Sequence, residues 1–424
     1  MFPSLLVAGI ALVLNIAAPR ALFAQRQGAD SLLRRAAALY AEGSYTEVVG
    51  MLSMITPDSL SAPEVFYLGT SYAALGDFRN STRYLRASVS LAASHNGYRF
   101  QLARVLAQGG LVQDAKAQFE ILLAGETPFL PAFINYGILL YEDGDYRGAA
   151  AAFEQSILLN PRDYTACYYL GSCLDRLGLP DSAMTYLAAS LTLNPAYTPA
   201  GRLLASLYYA RKDYQQSLLL YERLCKQRPR NPDYWYKAGL CSERLGSDQL
   251  AMDLFRHAAA LDSTEALYPA HIGQIFFGHR SFDSSAAAYR QAVSLDAGNP
   301  VLLLNLGLSF ARMDSTGPAI DAFTRSAAAH QVEKAAVAYI QLATVYYNAR
   351  RYRKARTAYA RALMLDPSNL EALFFIGFTL EQLGARDAAR TAFTKYLQAA
   401  ENEPSLEKRI AMVKERLQKL TRAQ

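Results

Sequence analysis

Small residues recur along this chain at a fixed interval of 34 positions: Gly69, Ala103, Gly137, Gly171, Ala205, Gly239, Gly273 and Gly307. One step of 36 then leads to Ala343, and 34 more to Gly377. Two further columns travel in phase with them. Sixteen residues after each small position stands a large one: Leu85, Phe119, Phe153, Leu187, Tyr221, Phe255, Tyr289, Phe323, Tyr359 and Phe393. Twelve residues after each stands Ser or Ala, from Ser81 and Ala115 through to Ala355 and Ala389. Such a chain is not organised around one central core. Each unit carries the same apolar pattern and has only its neighbours to bury it against.

Within a unit the pattern is that of two helices. In "NYGILLYEDGDYRGAAAAFEQSILLNP", Asn135 to Pro161, the apolar residues Tyr136, Leu139 and Leu140 fall at helical spacing. Glu142-Asp143-Gly144-Asp145 breaks that helix, since glycine accepts a backbone conformation other residues resist. A second, alanine-rich helix follows and stops before Pro161, which forbids continuation. Asn-Pro or Asp-Pro closes other units at Pro195 and Pro367, and a degenerate unit precedes the series around Ala36, with Gly43 as its turn.

A helix–turn–helix unit of 34 residues with these columns resembles the tetratricopeptide repeat (TPR) family, over about residues 30 to 400. The resemblance implies an all-α fold, an α-solenoid wound as a right-handed superhelix of about eleven tandem repeats, or about twenty-two helices, across 25–403. The segment 404–424, with "PSLEKRIAMVKERLQKL" from Pro404 to Leu420, then reads as a C-terminal capping helix with a charged outer face. Glycine inside a helix costs about 1 kcal/mol against alanine. A small residue that lets the partner helix approach, beside a large residue that fills the remaining space, explains why that cost is tolerated. Between Gly307 and Ala343 two extra residues enter around "AAAHQVEKAAV", read as an extended loop or helix end with a change in superhelical direction.

The N-terminus reads as a signal peptide over residues 1–24. Leu5 to Ala18 is apolar except for Asn15, too short for a membrane span of about 20 residues and suited to a secretory segment. Cleavage after Ala24 would leave Gln25 first. Leu22 is bulky for the cleavage motif and no Lys or Arg precedes the apolar run, so an uncleaved anchor is the alternative. The setting expected is the periplasm or cell envelope of a Gram-negative bacterium.

Little in the sequence points to chemistry. The formal charge of +6 is spread along the chain, without the concentrated basic stripe that nucleic acid requires. His95, His257, His271, His279 and His330 show no metal-ligand spacing, and no phosphate-cradling loop or G-x-S-x-G nucleophile is present. No catalytic, cofactor-binding or metal-binding residue is therefore assigned, and an enzyme is not expected. Cys167, Cys173, Cys225 and Cys241 lie in apolar helical segments as small buried groups; only Cys225 and Cys241 are placed to bridge neighbouring helices. "RRYRKAR", Arg350 to Arg356, reads as a solvated turn and helix start, or as a dock for an acidic partner or lipid headgroups.

The candidate binding face flanks the small column. Residues three before and four after it lie about 40–60° round the first helix of each unit. The TPR resemblance implies that this flank lines the concave surface, where family members commonly hold extended peptides. Its pairs are Ile134 with Tyr141, Tyr168 with Asp175, Arg202 with Tyr209, Tyr236 with Glu243, Ala270 with Phe277, Leu304 with Ala311, Ile340 with Tyr347, and Phe374 with Glu381. Tyr141, Tyr209, Phe277 and Tyr347 recur in every second unit. Asp175, Glu243 and Glu381 fall between them, each preceded by an aromatic. Staggered rings with carboxylates between them suit an unidentified protein or peptide partner, gripped by aromatic anchors and set in register by charge. The same rings at the seam between adjacent first helices would be packing residues. Members that clamp a terminal carboxylate use Lys and Asn here, which this chain lacks. The function expected is a non-enzymatic interaction scaffold. A polysaccharide-binding accessory protein is the alternative, and an envelope-assembly component acting through its convex face or ends is a third.

Overall fold

The helices start where the sequence supplies a cap and stop where the backbone leaves the helical region. Asp77, Asp145 and Asp213 accept the backbone N–H groups of Asn80, Gly148 and Gln216, opening the second helices of their units. Asp163, Asn231, Asn299 and Asn369 cap first helices in the same way. Asn160, Asn194 and Asp366, each before a proline, are extended at φ near −135°. Asp262 and Asp296 adopt the same conformation with no proline after them, so proline reinforces this exit without creating it.

The computed structural model describes residues 31–124, 129–329, 332–401 and 403–422. Among them there are helices, turns and bends and no strand: the chain is an all-α solenoid of helical hairpins. It divides into two units, residues 31–204 and 205–422 of the described chain. The first holds α1 (31–41), α2 (Tyr45–Leu52), α3 (Ala62–Ala74), α4 (Phe78–Leu91), α5 (Asn96–Gln108), α6 (Val112–Leu123), α7 (Leu130–Glu142), α8 (Tyr146–Leu159), α9 (Tyr164–Arg176) and α10 (Pro180–Leu193). The division falls within α11 (Thr198–Ala210). The second continues with α12 (Tyr214–Gln227), α13 (Pro232–Arg244), α14 (Asp248–Leu261), α15 (Leu267–Gly278), α16 (Phe282–Leu295), α17 (Pro300–Arg312), α18 (Thr316–Ala329), α19 (Val332–Asn348), α20 (Tyr352–Leu365), α21 (Leu370–Gln382), α22 (Arg386–Ala399) and α23 (Glu407–Arg422). The proposed signal segment 1–24 lies outside the described residues. Among those described, no helix is long and apolar enough to cross a membrane.

The columns of the sequence are the core of each hairpin. Phe153, Phe255, Phe323 and Phe393 are completely buried, as is the Ser/Ala column from Ser81 to Ala389. A Cβ added at Gly137 would lie 2.8 Å from the Phe153 ring, and one at Gly307 would lie 2.7 Å from the Phe323 ring. Two of the three serines in the Ser/Ala column find a backbone partner: Ser217 Oγ donates to the Ala205 carbonyl and Ser285 Oγ to that of Gly273, both at 2.8 Å, whereas the buried Ser81 hydroxyl has none among the described residues. A further column, nineteen residues after the small position, was not read from the sequence. Three of its four serines, Ser88, Ser190 and Ser326, donate to the carbonyls of Ala62, Tyr164 and Pro300, tying the second helix to the start of the first; the fourth, Ser156, is buried with no such partner among the described residues.

The turn residue has φ near +75 to +85° at Gly43, Gly76, Gly110, Gly144 and Gly178. The same turn position is filled by Lys212 (φ 64°), Arg280 (φ 58°), Asp314 (φ 54°) and Arg350 (φ 58°). Left-handed backbone costs an L-residue about 1–2 kcal/mol, against about 0.5–1 kcal/mol of extra chain entropy for glycine. Lys212→Gly and Arg280→Gly should each raise stability by about 0.5–1 kcal/mol, read as a shift in urea midpoint; a fall in midpoint would refute the strain.

The two extra residues between Gly307 and Ala343 are absorbed by a helix. α19 has 17 residues where α17 has 13, and it begins eleven residues before Ala343 instead of seven. At the C-terminus, Pro404–Leu406 forms a short 3-10 turn before the cap α23, whose Val413 and Leu420 are buried. All four cysteines are buried and free, so the Cys225–Cys241 bridge is not formed. Burial pushes the Cys173 and Cys225 thiols up to about 12, and Cys241 Sγ contacts Ser217 Oγ at 3.2 Å.

Candidate functional site: the first-helix face

Each ring at the fourth position after the small residue packs edge-on against a ring that opens the next helix. Tyr141–Tyr146, Tyr209–Tyr214, Phe277–Phe282 and Tyr347–Tyr352 lie 5.2–5.5 Å apart at 65–67° between planes. Tyr40–Tyr45 in the first, degenerate unit does the same at 5.4 Å. This is a favoured aromatic geometry, and it fixes the ring over the turn. The partner rings Tyr146, Tyr214, Phe282 and Tyr352 went unread in the sequence, although they recur in the same alternate units.

Outward from these doublets the phenols reach the following first helix. Tyr141 Oη lies 2.9 Å from Ser172 Oγ of α9, and the Arg176 guanidinium lies beside the same phenol. Arg244 of α13 lies beside Tyr209 in the equivalent way. These phenol contacts raise both arginine pKa values. Tyr141, Tyr209, Phe277 and Tyr347 are accordingly half-buried residues.

The alternate units are built differently. Tyr168 packs edge-on against Tyr169 (5.0 Å) and Tyr197 (5.4 Å), and burial raises its pKa. Tyr236 lies 5.5 Å from Tyr268 and 3.1 Å, through its hydroxyl, from His271 Nε2. The other nitrogen of that imidazole is 3.1 Å from Glu243 Oε2, so Tyr236, His271 and Glu243 form one half-buried chain between α13 and α15. Glu243 is thus a paired carboxylate. The last pair is closed off: Phe374 is buried, with Arg409 of the cap 5.2 Å over its ring, and Glu381 pairs with Arg416 at 3.3 Å. Phe374 and Glu381 therefore lie beneath the cap helix, which takes the place of a further repeat. Asp175 is half-buried, and Arg202 is exposed.

Four stretches, residues 67–131, 137–198, 202–266 and 340–404, match the tetratricopeptide repeat model, well over half of the chain. The chain belongs to the tetratricopeptide repeat family. It is 23% identical to the BBSome complex member BBS4 of Mus musculus over 53% of this chain and 49% of that protein. It is likewise 23% identical to BBS4 of Bos taurus, over 39% of this chain and 32% of the relative. The TPR chain thus spans a third to a half of the length of these two relatives. Among solved structures, the C-terminal part of a TPR repeat-containing protein from Cytophaga hutchinsonii superposes with a TM-score of 0.51 at 16% identity. That match covers 57% of this chain and 98% of that one, a likeness of fold.

Proposed function

We propose that this TPR protein is a non-enzymatic scaffold that binds an extended segment of a protein partner along its first-helix face. The carrying observation is a contrast in burial. The small and large columns are buried throughout, whereas Tyr141, Asp175, Tyr209, Tyr236, Glu243, Phe277 and Tyr347 remain half-exposed on one flank. Rings held edge-on by neighbours lose little rotamer freedom on binding and so make efficient anchors. The curated relatives are named as members of a complex, which supports the same reading. A photo-crosslinker at Arg202 or Tyr209 should capture the partner, whereas one at Leu219, exposed on a second helix, should not. Capture at Leu219 alone would move binding off this face, and a glycan-array signal without protein capture would favour sugar.

We further propose export, on the apolar Leu5–Ala18 segment followed by Ala24. N-terminal sequencing of protein from the periplasmic fraction should begin at Gln25; intact residues 1–24 on membrane-bound protein would establish an anchor.

A further inference from the structure

At a 35-residue offset, Arg176 lies beside Tyr141 and Arg244 beside Tyr209. The third member of that series is Arg312, and the ring 35 residues before it is Phe277, which has no hydroxyl. The Arg312 guanidinium is exposed and makes no hydrogen bond or ion pair among the described residues. One position earlier, where the units of Tyr168, Tyr236 and Phe374 carry Asp175, Glu243 and Glu381, this unit has Ala311. The cation has lost its phenol and the carboxylate beside it is missing.

Ala311 and Arg312 line a cleft of about 310 Å³ between α17 and the lengthened α19. Leu308, Ala311, Val345 and Ala349 supply apolar walls, and Arg312, Gln341 and Asn348 supply donors. The Gln341 and Asn348 amides make no side-chain hydrogen bond among the described residues. Thr344 also lines the cleft, but its hydroxyl is engaged by the Ile340 carbonyl and Tyr359 Oη. Asp314 is the one carboxylate in the lining. It is outweighed by Arg312 together with Arg350 and Arg351, exposed in the turn that follows Ala349.

We propose that this cleft receives an acidic side chain of a bound peptide, its carboxylate held by Arg312 with the Gln341 and Asn348 amides and steered by the Arg350–Arg351 turn. Planar guanidinium suits a carboxylate, and partly enclosed apolar walls strengthen the contact relative to water. The proposal rests on the first-helix face being the binding surface, and it names the chemistry selected there.

Fluorescence anisotropy with labelled hexaglutamate and hexaglutamine, on the full mature chain at low salt, tests it without the natural partner. Hexaglutamate should bind more tightly than hexaglutamine. Arg312→Gln should weaken hexaglutamate roughly tenfold or more, with an unchanged melting curve. Arg176→Gln, outside the cleft, should not weaken it. Equal hexaglutamate affinity for Arg312→Gln and the parent chain would overturn the proposal. So would equal binding of the two peptides, loss confined to Arg350 and Arg351 variants, or a hexathymidylate that outcompetes hexaglutamate. Any of these outcomes leaves partner capture at Arg202 and Tyr209 standing on its own test.

Discussion

Gly239→Leu should destabilise the second unit by about 3 kcal/mol, the upper end of what overpacking a core costs. A Cβ alone at this position would lie 2.6 Å from the Phe255 ring, and that ring is fully buried with no free side to turn to. The remaining atoms of leucine require the hairpin to separate. Because each repeat is supported only by its neighbours, separation also weakens the contacts of α13 and α14 with the helices before and after them. Gly239→Ala should be much milder. Alanine recovers about 1 kcal/mol of helix propensity, and Ala103 and Ala205 already face Phe119 and Tyr221 elsewhere in the chain. Urea unfolding followed by helical circular dichroism reads both changes. In the double variant Gly239→Leu with Phe255→Ala, part of the loss should return, since the leucine enters space the ring has left. A Gly239→Leu protein as stable as the parent would mean that the close approach at this column does not hold the hairpin.

Phe255→Ala should cost about 3–5 kcal/mol. The Phe255 ring stacks on His271 at 5.0 Å, lies 5.8 Å from Tyr236 and faces Gly239, so deletion leaves a cavity in the core of this hairpin. Phe255→Leu should lose far less, because Leu85 and Leu187 fill the same column opposite Gly69 and Gly171. Leu250→Ala is the control: that side chain is 41% exposed and its removal should change stability by no more than about 0.5 kcal/mol. Partner capture should fall with Phe255→Ala as well, since Tyr236 and the His271–Glu243 pair rest on this ring. A loss of capture without a loss of stability would contradict that packing.

The hairpins, their register and their buried columns were legible in the sequence because steric fit between two adjacent helices repeats wherever the same residue types repeat. Gly137 with Phe153 and Gly239 with Phe255 say the same thing 102 residues apart. The candidate rings were legible as a periodic flank too. Their partners on the following first helix, such as Ser172 and Arg176, were not, because those contacts depend on groups whose roles no single period reveals. Arg176 lies beside the Tyr141 phenol, whereas Arg312 lines the cleft between α17 and α19 with no hydrogen bond or ion pair among the described residues. Phe374 and Glu381 looked like members of an open face, and the cap closed over them because the last repeat has an apolar side that no further repeat covers. Glu243 reads as a solvated acid until α15 brings His271 to its side. The sequence by itself determined which residues pair within a hairpin, since that pairing is local and repeated. Only the tertiary structure decided which flank residues are left for a partner, since that depends on what the next helix happens to carry.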